Sequence, residues 1–180
     1  MLDFAIQSMK HIFLLGFMGS GKSSLAIQLS EKLNFPYVDS DSYIEENCAM
    51  TVAEIFSQKG EAYFRTQELE FLKEFSAEQT TIVATGGGMP CDDERMALIK
   101  EKGVSFYLYL PKGKLTERLM HDKAQRPIVA DLNTEEDIDI LVNKLLLERE
   151  KYYFQANYIC KAEMPTEELM TDIIEKFALH

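Results

Sequence analysis

A phosphate-binding pattern lies near the start of the sequence, in residues 14–29, LLGFMGSGKSSLAIQL. Gly16, Gly21, Lys22 and Ser23 have the required spacing, which is a glycine, four free residues and then Gly-Lys-Ser. In such a loop the backbone N–H groups point at the phosphates, the lysine reaches the outer phosphates, and the hydroxyl ligates Mg²⁺. The sequence therefore predicts a nucleotide site, and leaves open where the phosphate goes next.

Two carboxylates follow a short apolar stretch in FPYVDSD, at Asp39 and Asp41. Residues at i and i+2 of an extended chain point to the same side. One carboxylate could then serve the Mg²⁺ shell while the other orients or deprotonates an acceptor hydroxyl. The alternative is an acidic helix start in which Asp41 or Ser42 is the cap. The pattern alone does not separate these two interpretations.

Two other classes of nucleotide-binding protein are disfavoured by missing residues. A GTP switch needs an aspartate after Asn-Lys-x, but residues 143–146 read NKLL, and no aspartate is followed three residues later by glycine. A motor-like ATPase uses an apolar strand that ends in an acidic residue. The strands in TIVATGGG and VSFYLYL end without one. Transfer of phosphate to a small acceptor is favoured over these two classes.

Glycines and arginines supply the candidate acceptor site. The TGGG of residues 85–88 follows a predicted strand, so backbone there could approach a small ring closely, although a flexible turn is the alternative. Arg65 has Glu68 one helical turn later, and Arg149 lies near the end of a long helix. Either arginine could be a solvated helix charge, but guanidinium also grips a carboxylate in a bidentate fork. Arg126, in the loop AQRPI, could reach the triphosphate.

The elements that must position these residues alternate between apolar runs and helix-period segments, which indicates a parallel α/β sheet. The predicted strands are 11–15, 36–38, 81–84, 104–110 and 158–160. Capping boxes at Ser42–Glu45 and Thr51–Glu54 predict two helix starts. Further helices are expected at about 61–75, 92–102 and 134–156, and another from Thr166. Residues 121–133 lack a period and are interpreted as a mobile loop.

Composition limits the class of protein further. A chain of 180 residues suits a single domain, expected over 1–180. The net charge of −11 disfavours nucleic acid as a partner, and no apolar run approaches the roughly 20 residues that span a bilayer. Three scattered cysteines in no metal-ligand spacing suit a reducing compartment. We therefore expect a cytoplasmic monomer with small-molecule partners.

Six motifs in order, GFMGSGKSS, VDSD, FRTQE, ATGGG, QRPI and REKYY, closely resemble the shikimate kinase family. The resemblance spans about residues 11–160. It implies a three-layer P-loop kinase fold with a five-stranded parallel sheet, flanking helices and a mobile lid, here placed at about 112–133. It also implies Mg²⁺-dependent transfer of the γ-phosphate of ATP to the 3-hydroxyl of shikimate, in aromatic amino-acid biosynthesis.

The resemblance also implies a role for each matching residue. ATP would be bound by Gly19, Ser20, Gly21, Lys22, Ser23, Ser24 and the lid residue Arg126. Shikimate would be bound by Asp41, Arg65, Gly86, Gly87, Gly88 and Arg149. Catalysis is assigned to Lys22, Asp41 and Arg126, and Mg²⁺ to Ser23 and Asp39.

The match to the family is imperfect in three places. Ser24 stands where the family often has threonine, and QRPI replaces the commoner Arg-Pro-Leu. The arginine expected to stack on adenine falls on Leu119, with Arg118 one position away. Two rival functions also stay open. The first is a kinase of the same fold for another hydroxy acid such as gluconate, and the second is a non-catalytic nucleotide-binding regulator. Asp41 and the lid arginine beside an intact Lys22 argue against the regulator.

Overall fold

The computed structural model describes residues 10–121, 129, 132 and 134–180. Its centre is a five-stranded parallel sheet with strand order β2-β3-β1-β4-β5. Near-continuous apolar runs form the central strands because helices cover both faces of a parallel sheet. The strands are β1 His11–Leu15, β2 Tyr37–Asp39, β3 Ile82–Ala84, β4 Gly103–Tyr109 and β5 Tyr158–Lys161.

Eight helices with defined bounds flank the sheet in the part of the chain that the structure describes. They are α1 Lys22–Leu33, α2 Ser40–Cys48, α3 Val52–Lys59, α4 Glu61–Glu74, α5 Asp93–Lys102, α6 Lys112–His121, α7 Glu135–Tyr153 and α8 Thr166–Phe177. The predicted three-layer fold with a five-stranded parallel sheet is confirmed. Within the described residues, no helix is both long and apolar enough to cross a membrane.

Two apolar layers hold the sheet between its helices. On one face, Leu25 and Leu29 of α1 and Ile173 of α8 pack with the β1 residues Ile12 and Leu14. On the other face, β1 presents residues of opposite parity, Phe13 and Leu15, to α4 and α5. Alternate residues of one strand therefore serve both faces, as a buried parallel strand requires.

The strand order determines where the site forms. Strands β2, β3 and β1 are neighbours, so the segments that follow them emerge side by side at one edge of the sheet. These segments are the phosphate loop after β1, Asp39 at the end of β2, and the TGGG turn after β3. Parallel α/β sheets bind ligands at this carboxyl edge.

One predicted helix start is wrong. The Ser42–Glu45 capping box does not form, because α2 begins at Ser40 and its cap is Asp39, whose side chain accepts the N–H groups of Asp41 and Ser42. The Thr51–Glu54 capping box is confirmed at the start of α3.

Candidate active site

The phosphate loop between β1 and α1 has the backbone shape that its glycines predict. Gly19 and Gly21 have φ of 81° and 97°, in the left-handed region that glycine adopts without strain. Helix α1 begins at Lys22 with Gly21 as its cap, and glycine has no side chain with which to cap the helix. The helix start therefore presents backbone donors to the loop, as an anion site requires.

Lys22 is held inside this loop. Its side chain is buried, and Nζ donates to the carbonyl oxygens of Gly16 at 2.9 Å and Phe17 at 2.8 Å. Ser20 is also buried, whereas Ser23 and Ser24 are exposed at the start of α1. The loop thus surrounds a fixed positive charge.

Ser23 and Asp39 meet across the cleft. Ser23 Oγ donates to Asp39 Oδ2 at 2.6 Å, although the two residues are 16 positions apart. The other carboxylate oxygen of Asp39 caps α2 by accepting the backbone N–H of Asp41 at 3.0 Å. One oxygen of Asp39 therefore fixes a helix while the other faces the hydroxyl at the phosphate loop.

Asp41 also lines the cleft, but the geometric reason given from the sequence is wrong. Asp41 is the second residue of α2, so Asp39 and Asp41 are not successive same-side residues of an extended chain. Its Oδ1 is buried and has no hydrogen-bond partner among the described residues. Burial, followed by repulsion from Asp39 and Glu68, raises the pKa of Asp41 to about 7, although Lys22 and Arg65 oppose the change. Such a carboxyl can exchange a proton near neutral pH.

Each glycine of the TGGG turn lies against one predicted substrate-binding side chain. A Cβ on Gly86 would overlap with the carboxylate of Asp41, and one on Gly88 would overlap with the guanidinium of Arg65. A Cβ on Gly87 would lie 3.7 Å from Nη1 of Arg149. Three charged side chains therefore converge on the turn, and at Gly86 and Gly88 any larger residue would displace its neighbour.

Two acidic residues hold the guanidinium of Arg65. Its Nη1 donates to both oxygens of Glu68 at 2.9 Å, which confirms the predicted Arg65–Glu68 contact. Its Nε and Nη2 donate to Glu61 Oε1 at 3.1 and 2.7 Å. Glu68 is fully buried and also pairs with Arg95 Nη1 at 3.3 Å.

Sequence reasoning missed Glu61 and Arg95 at this position. The i, i+4 spacing of Glu61 and Arg65 on α4 could have predicted the contact of Glu61 with Arg65. Arg95 lies 30 residues from Arg65 on α5 and also donates to the Arg65 carbonyl at 3.3 Å. No local pattern marks that contact, because it depends on how α4 and α5 pack.

Arg149 reaches the turn from α7. Its guanidinium carbon lies 5.9 Å from the ring centroid of Phe17, within the range of a cation–π contact. One turn later, the buried Tyr153 donates its hydroxyl to the carbonyl of Gly87. Burial raises the pKa of Tyr153 well above its ordinary value, so the hydroxyl remains a donor. Tyr153 was also missed, although its i+4 spacing from Arg149 was visible.

The structure describes the predicted adenine-binding region but not the predicted lid arginine. Leu119, at the position expected for the stacking arginine, is fully buried. Arg118 instead points to the phosphate loop, where Nη1 donates to the Gly19 carbonyl at 3.0 Å. Arg126 and most of the predicted loop 121–133 lie outside the described residues.

These groups enclose a polar cleft with a volume of about 140 Å³. Its walls come from the phosphate loop, the β2 end and the TGGG turn. The lining residues are Met18, Gly19, Gly21, Lys22, Ser23, Ser24, Asp39, Asp41, Thr85, Gly86 and Gly87. Arg149 lies near Gly87, which lines this space, and Arg65 lies against the next residue, Gly88. The arrangement places a phosphate cradle beside a carboxyl that could accept a proton.

A P-loop at the carboxyl edge of a five-stranded parallel sheet, facing an acceptor pocket with its own carboxylate, defines a small-molecule kinase. A model of the family "Shikimate kinase" matches residues 18–178. The chain belongs to the shikimate kinase family.

Individual relatives agree with this assignment. A shikimate kinase from Bacteroides thetaiotaomicron is 38% identical over 155 residues, which cover 86% of this chain and 88% of that protein. The structure of a shikimate kinase from Acinetobacter baumannii in complex with shikimate superimposes with a TM-score of 0.83 at 30% identity, covering 97% of this chain and 96% of that one. A gluconokinase from Sinorhizobium meliloti, at 14% identity and a TM-score of 0.63, shares the fold alone.

Proposed function

We propose that this protein transfers the γ-phosphate of ATP to the 3-hydroxyl of shikimate, forming shikimate 3-phosphate in aromatic amino-acid biosynthesis. One observation carries the proposal. Asp41, Arg65 and Arg149 converge on the turn of Gly86 to Gly88, directly beside the phosphate loop. Paired guanidinium groups suit a substrate carboxylate, and a buried carboxyl suits a substrate hydroxyl. The shikimate bound to the Acinetobacter baumannii relative has both groups.

The substrate hydroxyl is the nucleophile, and Asp41 is its base. With a pKa of about 7, Asp41 is partly ionised at neutral pH and can accept the hydroxyl proton as the new P–O bond forms. Lys22 and the backbone N–H groups of the loop stabilise charge on the transferring phosphoryl group. The proton goes to a carboxylate oxygen of Asp41, and the γ-phosphoryl leaves ADP.

Ser23 and Asp39 fit a magnesium ion. They offer a hydroxyl and a carboxylate oxygen, the hard ligands that Mg²⁺ takes, at the start of the helix that faces the phosphates. Held by these two residues, Mg²⁺ would supply positive charge that offsets the negative charge of the phosphates. Asp39 would keep its ligand oxygen in place because its other oxygen is fixed by the N-terminus of α2.

Arg126, the monomeric state and the cytoplasmic location remain proposals from the sequence. Arg126 would close over ATP as part of the lid.

Shikimate is favoured over gluconate as the acceptor. Both acids have a carboxylate, so two arginines alone do not discriminate between them. The residues that favour shikimate are those of the family motifs, VDSD, FRTQE and ATGGG, which contribute Asp41, Arg65 and Gly86 to one site. The similarity to gluconokinase is limited to the fold.

Acceptor-dependent ADP release tests the proposal. Wild-type protein with Mg²⁺ and ATP is assayed with shikimate, gluconate or a nucleoside monophosphate. We expect ADP release only with shikimate. Lys22→Met should abolish it while nucleotide-free protein stays folded, as measured by circular dichroism. Equal rates with and without shikimate, or a faster rate with gluconate, would reject the assignment.

A further inference from the structure

Glu61 occupies the exposed side of the Arg65 guanidinium. Nε and Nη2 of Arg65 both donate to the single oxygen Oε1 of Glu61, at 3.1 and 2.7 Å. Two neighbouring N–H groups directed at one carboxylate form the side-on fork by which arginine also binds a carboxylate ligand. In this structure the fork is therefore filled by a carboxylate of the protein itself.

The two carboxylates on Arg65 differ strongly in their surroundings. The Glu68 side chain is fully buried and has Arg95 as a second partner, whereas the Glu61 side chain is 62% exposed. Removing Glu68 would leave the buried guanidinium of Arg95 and the half-buried one of Arg65 without their shared partner, which is costly. An exposed ion pair such as Glu61–Arg65 is weak and is easily exchanged for another anion.

From this difference we infer that Glu61 is a place-holding carboxylate, which binds Arg65 in the absence of the acid and is displaced when the substrate carboxylate binds. The inference rests on the proposed function, because it needs an acid that Arg65 grips. Glu61 would then lower the affinity for the acid by competing for the fork. Glu68 and Arg95 would keep the guanidinium beside Gly88 throughout the exchange.

Competition predicts a gain of affinity when Glu61 is replaced. Glu61→Gln keeps the size of the side chain but removes its charge, so the dissociation constant for shikimate should fall about 2- to 5-fold, the scale of an exposed ion pair. The dissociation constant for ATP should stay unchanged. If Glu61 instead orients Arg65 for the acid, the same substitution weakens shikimate binding.

A general electrostatic effect needs a separate control, since removing any negative charge favours an anion. The control is Glu167→Gln, on α8. Like Glu61, Glu167 is exposed and forms an ion pair, in this case with Lys32 at 2.6 Å. This substitution should leave shikimate binding unchanged. Glu61→Asp keeps the charge but shortens the side chain by one methylene, so it should also tighten binding, by less than Glu61→Gln.

Titration calorimetry with shikimate and with its uncharged amide, in the absence of nucleotide, measures all four proteins. We expect Glu61→Gln to increase the preference for acid over amide by the same 2- to 5-fold factor. Unchanged or weaker acid binding by Glu61→Gln while wild type binds shikimate overturns the inference alone. Failure of wild type to bind shikimate overturns the proposed function and the inference with it. An equal gain in Glu167→Gln also overturns the inference, because it assigns the effect to net charge.

Discussion

The carboxylate of Asp41 lies directly against the α-carbon of Gly86, so that no side chain at position 86 can coexist with the present position of Asp41. The contact joins the start of α2 to the turn after β3. It is supported by the Gly86 N–H, which donates to the buried Ser40 Oγ at 2.8 Å. Glycine at position 86 is therefore a condition for the placement of the proposed base.

Gly86→Ala should lower turnover by about 10²-fold, because a displacement of the base on the order of 1 Å has that effect on a positioned reaction. ATP affinity should change little, since the phosphate loop is untouched. Gly113→Ala is the control, because nothing lies within 4 Å of a Cβ at that position. Steady-state kinetics of both variants check the prediction. Normal turnover in Gly86→Ala would show that Asp41 is not held where it is needed.

The pH dependence of the rate should report the ionisation of Asp41. Because the pKa of Asp41 is raised to about 7, kcat/KM for shikimate should rise with pH and level off above that value. Asp41→Asn should lower turnover about 10²- to 10⁴-fold and remove this step from the profile. An Asp41→Asn enzyme that keeps the wild-type pH profile would exclude Asp41 as the base.

Stability should respond to pH through the same group, with a definite sign. The pKa of Asp41 is about 7 in the folded protein and near 3.8 in the unfolded chain, so the folded protein alone holds this proton between those values. The free energy of unfolding contributed by Asp41 is therefore fully present below the lower pKa and falls as pH rises toward 7.

Asp41→Asn lacks this titration, so its stability relative to wild type should increase from pH 5 to pH 8. Urea unfolding of both proteins without nucleotide, followed by circular dichroism at several pH values, measures the difference. A constant difference across this range would contradict the raised pKa.

The proposed lid should affect ATP binding and turnover but not shikimate binding in the absence of nucleotide. Arg126→Ala should lower turnover and weaken ATP binding, because it removes a cation from the triphosphate, but it should leave shikimate affinity without nucleotide unchanged. The loop from about 122 to 133 should gain protection from proteolysis only when a nucleotide analogue is bound. Equal protease sensitivity with and without the analogue would identify the segment as an ordinary surface loop.

Local sequence patterns were sufficient for the sheet and for the phosphate loop. Both depend on features that are close together in the chain, namely apolar runs between helical segments and the spacing of Gly16 to Ser23. The predicted cap of α2 is three residues late because Ser42 and Glu45 match a capping box, while Asp39 makes the cap that forms. An aspartate can act as a helix cap, a metal ligand or a base, so its residue type alone does not determine which of these roles it has.

Contacts between distant segments were the part that the sequence could not supply. Asp41 lines the cleft, but its position against Gly86 depends on the packing of α2 on the turn after β3. Arg95 resembles an ordinary helix charge until α5 packs on α4 and brings it to Glu68. The internal bonds of Lys22 to Gly16 and Phe17 likewise required coordinates.

The strongest prediction concerns Arg65 and Arg149 as one carboxylate clamp. Both guanidinium groups border the TGGG turn, Arg65 beside Gly88 and Arg149 beside Gly87. If both grip one carboxylate in a partly closed cleft, truncating either should weaken acid binding by about 2–5 kcal/mol. This corresponds to roughly 30-fold or more in the dissociation constant. ATP affinity should barely change, because neither arginine is proposed to bind the phosphates, and Arg149 meets the phosphate loop only at the ring of Phe17 among the contacts described above.

Substitutions of the two arginines distinguish a clamp from two solvated helix charges. Lysine at either position should restore little affinity, because it keeps the charge but loses the planar fork. The losses in Arg65→Ala and Arg149→Ala should be non-additive, since both side chains serve one anion. Because Arg65→Ala also removes one partner of the buried Glu68, its thermal unfolding must be measured beside its binding. Arg149→Ala tests the clamp without this effect on Glu68. Wild type should bind the amide analogue far more weakly than the acid, and equal binding of the two would mean that no clamp exists.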